Sequence, residues 1–438
     1  MKFKYLVLIA SAAGLLSSCK NNFKSLDTPT AGEADFSKYV AIGNSLTAGY
    51  ADNSLTRDGQ ENSYPNMLSQ QFKMVGGGNF VQPLLPGSYG WPSAKYTLGY
   101  QTDCKGVTAL GPIPNPAAAD TAGSSNRIGN IDYNNLGVPG IKVAHLGING
   151  YGVFNPYAAR FFRNPSLQTP LEVFLAQSPS FFTVWLGGND VLGYATSGGE
   201  GNIGGMGTAD ITHPELFKTM YDSLVNNLVK GNAKGVLINI PDVTSIPFFT
   251  TIDRNGATVT AEEANRLNQH YKDLGYNHIS FREGKNAFVV EDDRVGVRHI
   301  EEGEFLLLTI PANELKCNGL GTMKPLPKRY FLDAKEVATI REYTALFNQT
   351  IQDAARKHGL AYMDAGAFMR SLSSGFAWDG IKYSPTFVTG GAFSLDGVHL
   401  TPRGYALVAN QIITTINTYY KANIPYHDVN KYPGIKFP

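Results

Sequence analysis

Five residues in this chain have types and positions that could do chemistry together. Ser45 sits in Gly43-Asn44-Ser45-Leu46, Gly140 in Val138-Pro139-Gly140, Asn189 in Gly187-Gly188-Asn189-Asp190, and Asp396 and His399 in Asp396-Gly397-Val398-His399. A serine hydroxyl is a poor nucleophile until a neighbour takes its proton. Imidazole suits that task because it titrates near neutral pH. Asp396 lies three residues before His399, so one turn of backbone can bring its carboxylate to the ring nitrogen facing away from a serine. There it would fix the tautomer and stabilise the imidazolium. Acyl transfer builds negative charge on a carbonyl oxygen. The Ser45 and Gly140 N–H groups and the Asn189 amide are suitable donors to it, and glycine permits close approach. Each motif also has a plain reading: an N-cap serine, a strand-ending turn, a capping aspartate beside a surface histidine.

The elements that must position these residues are readable as apolar runs. Tyr39 to Gly43, Phe181 to Leu186, Val236 to Ile240 and Leu360 to Met363 read as buried strands, and Asn134 to Val138 as a weaker one. Helical patterns alternate with them. Leu216, Met220, Leu224 and Leu228 recur every four residues, and Ile340, Leu346, Ile351 and Ala355 share a stripe. The last helix has Thr401 as cap, Pro402 in its first turn and Val408, Ile412, Ile413 and Ile416 as its apolar face. Strands alternating with helices predict an α/β fold with a parallel sheet covered on both faces. Ser45, at the C-terminal end of the first strand, then lies in the crevice where such sheets bind ligands. A helix starting there would aim its N–H groups at the site.

Three stretches break the alternation. Residues 76–130 are rich in Pro, Gly and Tyr, 197–208 form a glycine loop, and 281–326 carry two β-rich pieces, Ala287 to Val290 and Phe305 to Ile310, around a charged turn. The last is expected to be a hairpin insertion; long insertions commonly serve as lids or binding walls. Pro86 to Tyr100, with Trp91, could wall a sugar or an acyl chain, or simply cover the sheet edge. Asp210-Ile211-Thr212-His213 repeats the Asp-x-x-His spacing, but it follows the glycine loop and precedes Pro214-Glu215, so it is assigned to helix capping. Gly199-x-Gly201-x-x-Gly204 does not join a strand to a helix and is rejected as a dinucleotide site. No metal-ligand spacing occurs, and His270 and His278 read as surface residues. No metal and no cofactor are expected.

The chain has 438 residues, enough for one enlarged domain. Charged residues make up 17% and the net charge is +1, so nothing provides the basic face that nucleic acid requires. Lys2 and Lys4 precede a short apolar run from Tyr5 to Leu16, a targeting segment rather than a comfortable membrane span. It ends in Leu16-Ser17-Ser18-Cys19, which resembles a bacterial lipobox. The resemblance implies cleavage before Cys19 and lipid on its thiol; the alternative is an ordinary signal peptide with a chance cysteine. The expected layout is a signal peptide over 1–19, a flexible tether over 20–34, one domain over 35–425 and a tail over 426–438. Cys104 and Cys317 could pair in an oxidising compartment, and the sequence leaves that open.

In combination, Gly43-Asn44-Ser45-Leu46, Gly140, Gly187-x-Asn189-Asp190 and Asp396-x-x-His399 resemble the blocks of the SGNH (GDSL-type) hydrolases. Further local similarity lies in Tyr64-Pro65, Asn239-Ile240-Pro241-Asp242-Val243 and Tyr362-Met363-Asp364, and coverage runs from about 36 to 420. The resemblance is to lipoprotein members of that family. It implies a three-layer α/β/α sandwich with a flavodoxin-like parallel sheet. It also implies a serine esterase or lipase with catalytic Ser45, Asp396 and His399, oxyanion donors Ser45, Gly140 and Asn189, and neither metal nor organic cofactor. The expected substrates are acyl or acetyl esters of carbohydrates, lipids or small alcohols. The protein is expected as a monomer in the bacterial cell envelope, held through Cys19. One departure stands out: the family's usual Asp before the serine is Asn44 here, which keeps a turn acceptor and loses a charge. The alternatives are a catalytically retired glycan- or lipid-binding lipoprotein on the same fold, or a transferase that passes the acyl group to another alcohol.

Overall fold

A computed structural model describes residues 28–120 and 132–438. The Cys19 lipobox lies outside the described residues. Five short runs form one parallel sheet: β1 (Tyr39–Gly43), β2 (Asn135–Gly137), β3 (Phe181–Trp185), β4 (Lys234–Ile238) and β5 (Ala361–Met363). Their spatial order is β5-β4-β3-β1-β2, the flavodoxin-like order expected from the resemblance. Nearly every strand residue is buried, which explains why these runs read as continuously apolar rather than alternating.

Helices cover both faces. The elements that matter to the site are α1 (Ser45–Ala48), α2 (Tyr64–Lys73), α3 (Asn189–Thr196), α4 (Pro214–Leu228), α5 (Ala334–His358) and α6 (Pro402–Tyr420). α6 packs on β4, β5 and α2; α5 packs on the same two strands and on α3 and α4. Thr401 caps α6 as expected: its hydroxyl accepts the Gly404 N–H at 3.0 Å. Val408, Ile412, Ile413 and Ile416 are all buried.

Two helical stripes differ from the pattern read in sequence. In α4 the buried face is Phe217, Tyr221, Leu224, Val225 and Leu228, with Leu216 and Met220 half-buried at its margin. In α5 Phe347 is buried and Leu346 is exposed. Both offsets follow the aromatic rings: Phe217 stacks on Phe347 with centroids 4.2 Å apart. A stacked pair of large rings sets the rotation of the two helices, overriding a leucine one position away.

The insertions are more regular than loops. Within 76–130, Tyr96–Thr102 pairs antiparallel with Thr108–Pro114. The 281–326 segment does hold a hairpin, but its return strand is Gly296–His299 against Val289–Asp292, closed over Asp293-Arg294-Val295. Phe305-Leu306 pairs instead with Phe331-Leu332. Asp292 favours the tight closure, since its carboxylate accepts the Arg294 and Val295 N–H groups and the Arg298 guanidinium. Cys104 at the first hairpin's tip is bonded to Cys317, with Cα atoms 6.0 Å apart, so the two insertions are covalently joined.

Residues 28–34 are not part of a free tether. Thr30 bridges to Asn423, and the Glu33 N–H donates to the Tyr420 carbonyl at 2.7 Å. The 426–438 segment likewise lies on the domain, where the buried His427 takes up the Asn410 side chain and the Met67 carbonyl.

Candidate active site

Every proposed triad and oxyanion residue lies at a carboxyl end of the sheet or on a loop that returns to it. β1 ends at Gly43, Asn44 turns the chain, and Ser45 opens α1. The Asn44 side chain accepts the Leu46 N–H at 3.0 Å, so the residue that replaces the family's aspartate keeps its capping bond. β2 packs against this turn so tightly that a Cβ on Gly137 would meet the Ala48 nitrogen at 2.2 Å. The Asn135 amide, also on β2, donates to the Thr47 carbonyl. Tyr64, buried at the start of α2, bonds the Thr47 hydroxyl at 2.9 Å.

Ser45, His399 and Asp396 meet in a line. The Ser45 Oγ is 2.8 Å from His399 Nε2, and His399 Nδ1 is 2.9 Å from Asp396 Oδ2. The side chains of His399 and Asp396 are only 14% and 8% exposed, so little water competes for these bonds. Asp396 also accepts the N–H groups of Val398, His399 and Asn53, and the Ser394 hydroxyl. Burial pushes its carboxyl up, but the His399 charge and these hydrogen bonds outweigh burial and hold it well below the usual carboxylate range. It is therefore an anion at any working pH. The Tyr50 ring lies 4.6 Å from the His399 ring, centroid to centroid, and limits where the imidazole can swing.

Asn189 and Gly140 face the same crevice from β3 and from the loop after β2. Asn189 opens α3, and its amide nitrogen donates one hydrogen to the Ile141 carbonyl at 2.9 Å, which leaves its second hydrogen for a ligand. That bond ties the two donor segments together. Gly140 has φ of +79°, a conformation that disfavours any side chain there. Among the described residues, neither the Ser45 nor the Gly140 N–H has an acceptor. Asp190, fully buried, accepts the Val143 N–H at 2.9 Å and the Thr212 hydroxyl at 2.7 Å, so it fastens the Gly140 loop to β3. Burial raises its carboxyl to about 6, against the pull of those bonds and of Lys142.

The other sequence candidates fall elsewhere. His213 caps α4, its Nδ1 accepting the Glu215 N–H. Asp210 organises the glycine loop by accepting the Asn202 and Gly207 N–H groups, and the Lys142 ammonium donates to the Gly207 and Asp210 carbonyls. His278 bonds the Val297 carbonyl in the hairpin insertion. Trp91 is buried against Tyr157 and Arg160, which makes it part of the cover over the sheet edge.

One residue that sequence reading passed over holds the acid loop. Asp52 and Asn53 are both left-handed, with φ of +52° and +61°. The Asp52 N–H donates to Ser394 Oγ, and the Asp52 carboxylate accepts the Leu395 N–H at 2.9 Å. The Asn53 N–H reaches Asp396 itself. Burial, against the Leu395 bond, and then the neighbouring Asp396 raise the Asp52 carboxyl to about 6. Asp52 also lines a cavity of about 440 Å³ behind the acid loop, walled by Tyr96, Leu98, Tyr405 and the C-terminal residues from Pro433; Ser45 and His399 do not line it. The only faint sequence signal was an Asp-Asn pair, two types that tolerate left-handed backbone.

No curated protein matches this chain. A solved structure named for a GDSL-like lipase from Parabacteroides merdae ATCC 43184 is 11% identical, spans 89% of this chain and 99% of its own, and has a TM-score of 0.35. Residues 39–294, more than half of the chain, match the family described as GDSL-like lipase/acylhydrolase. The chain belongs to the GDSL-like lipase/acylhydrolase family.

Proposed function

We propose that this protein is an exported, lipid-anchored serine esterase in which Ser45 attacks an ester carbonyl. His399 takes the serine proton at Nε2 and returns it to the leaving alcohol. Asp396 orients the ring and stabilises its cationic form. The N–H groups of Ser45 and Gly140 and the amide of Asn189 hold the developing oxyanion. Water then releases the acyl group through the same residues. The observation that carries this reading is the unbroken line from Ser45 Oγ to His399 (2.8 Å) to Asp396 (2.9 Å) in a largely dry setting. Family membership supports ester hydrolysis as the reaction class. Anchoring rests on the lipobox at Leu16-Ser17-Ser18-Cys19.

The test is hydrolysis of p-nitrophenyl esters of graded chain length by the soluble form beginning at Lys20, beside Ser45→Ala. Turnover should fall by about 10⁴-fold or more in the variant, as expected when a triad nucleophile is removed. The chain-length preference separates an acetylesterase from a lipase. If a serine-directed fluorophosphonate failed to label Ser45 in folded protein, the enzyme reading would give way to a binding protein.

A further inference from the structure

Contacts of residues 28–34 fix the point on the domain from which any tether to Cys19 must start. Thr30 bridges to Asn423, Glu33 bonds the Tyr420 carbonyl, and Lys421 pairs with the Glu33 carboxylate. All of these partners lie at or just beyond the C-terminal end of α6. The N-terminal end of α6 is capped by Thr401, two residues after His399. The 19 residues of this helix, at 1.5 Å each, separate the two ends by about 28 Å. β1 runs the other way between the same two poles: Lys38, before its start, bonds Ser180, and Ser45 follows its end. The exit point and the nucleophile therefore occupy opposite poles of the sheet.

From this arrangement we infer that the enzyme acts on esters presented from the aqueous side, and that its own tether withholds it from acyl esters in the membrane that carries the anchor. This rests on the proposed reading of Cys19 as the lipid-bearing residue and of Ser45 as the nucleophile. Nine residue-to-residue steps lead from Cys19 to Thr28. Fully drawn out they span about 30 Å at most. A compact chain of this length has a radius of gyration of about 22 Å, so a path around its flank from pole to pole exceeds roughly 50 Å. The molecule can stand on the exit pole or lie on its side, but its tether is too short to let it invert. Standing, the crevice at Ser45 opens away from the headgroups; lying, it opens parallel to them. A bilayer lipid would have to leave its leaflet to reach the serine, whereas a soluble or polymer-borne ester arrives freely.

The experiment uses the full-length lipidated protein in phosphatidylcholine vesicles containing an acceptor-labelled lipid. A donor dye is placed at the exit pole through Tyr419→Cys, or beside the Gly140 loop through Phe154→Cys; both side chains are exposed and neither belongs to the site. Energy transfer to the bilayer should be strong from position 419 and several-fold weaker from position 154. A thirty-residue Gly/Ser extension inserted before Thr28 should bring the two closer together. Alongside, an acyl group that the vesicle-bound enzyme removes from a water-soluble alcohol should be removed at least tenfold more slowly when fixed to a lipid of the host bilayer, with the extension narrowing the gap. Equal transfer from the two positions, or equal rates on the two esters with the native tether, would overturn the inference. Mass spectrometry showing no acyl group on Cys19 would defeat the anchor and the inference with it. Loss of all soluble turnover would defeat the esterase reading and with it the substrate half of the inference, while the transfer measurement would still decide the orientation.

Discussion

Asn189 and Asp52 show how differently two residues can serve one site. Asn189 would touch the reacting oxygen. Replacing it with Ala should lower kcat by about 10²- to 10³-fold and leave KM nearly unchanged, because the lost bond forms mainly in the transition state. Steady-state kinetics on a short-chain ester checks this. Asp52 instead touches the loop that carries Asp396 and His399. With its carboxyl raised to about 6, it gains negative charge as pH rises through that value. That charge faces Asp396, Lys95 and His399 and would stabilise the positive charge that develops on the ring in the transition state, so activity should gain a rising component near pH 6. In Asp52→Asn the Asp52 component of that rise should be lost and the plateau should drop several-fold. The stability effect has the opposite sign. A carboxyl raised in the folded state contributes stability below its unfolded value of about 4 and loses it as pH climbs past about 6. Asp52→Asn should thus match the parent at pH 4 and exceed it at pH 8, by up to about 3 kcal/mol. Denaturant melts at the two pH values, beside the pH–rate profile, distinguish this from simple structural damage.

At the scale of elements, sequence legibility followed sequence locality. Tyr39–Gly43 was readable to the residue because a doubly covered parallel strand is apolar throughout and glycine marks its end. Thr401 and Pro402 announced α6 in the same local way. The first half of the α4 stripe was misplaced by one residue, while Leu224 and Leu228 are buried as read, because Leu216 and Phe217 are equally apolar, and only the ring of Phe347, 130 positions later, chooses between them. The return strand at Gly296–His299 was missed because it alternates Val and His with Gly and Arg, a weak signal beside Phe305 to Ile310. The Ser45–His399–Asp396 pairings were legible through motif order, but Asp52 was not, since the Leu395 N–H that its carboxylate accepts lies 343 residues away and is a group that every residue but proline owns. The Cys104–Cys317 bond also joins distant elements, across 213 residues. In the chain-entropy account such a bond contributes at most about 5 kcal/mol. Cys104→Ser with Cys317→Ser should chiefly release the Tyr96–Pro114 hairpin. The expected result is faster proteolysis within 96–114, with the five-stranded sheet still melting cooperatively; a melt that lost cooperativity would show the insertions to be integral to the core.

For the molecule as a whole, the three layers have a division of labour. β1, β3 and the loop after β2 present the proposed nucleophile and oxyanion donors. The segment before α6 brings the base and acid, and Tyr405 on α6 holds the Tyr50 carbonyl beside them at 2.7 Å. The insertions touch this frame only at its loops: Tyr96 bonds the Asp52 carbonyl, and Leu308 packs over Gly397 beside Phe248. Specificity can therefore change in the insertions without disturbing the sheet.

The 354 residues between Ser45 and His399 carry one more consequence. A ribosome that has finished the first strand has made the proposed nucleophile but is hundreds of residues short of its proposed base, and β5 and α6 follow late in the chain. No partial product of synthesis holds a working triad, and contacts of such long sequence range close late in folding. A chain carried unfolded across a membrane would thus be chemically silent throughout its passage. The hydrolase would be born only where it folds, and the compartment that makes it would never meet its activity.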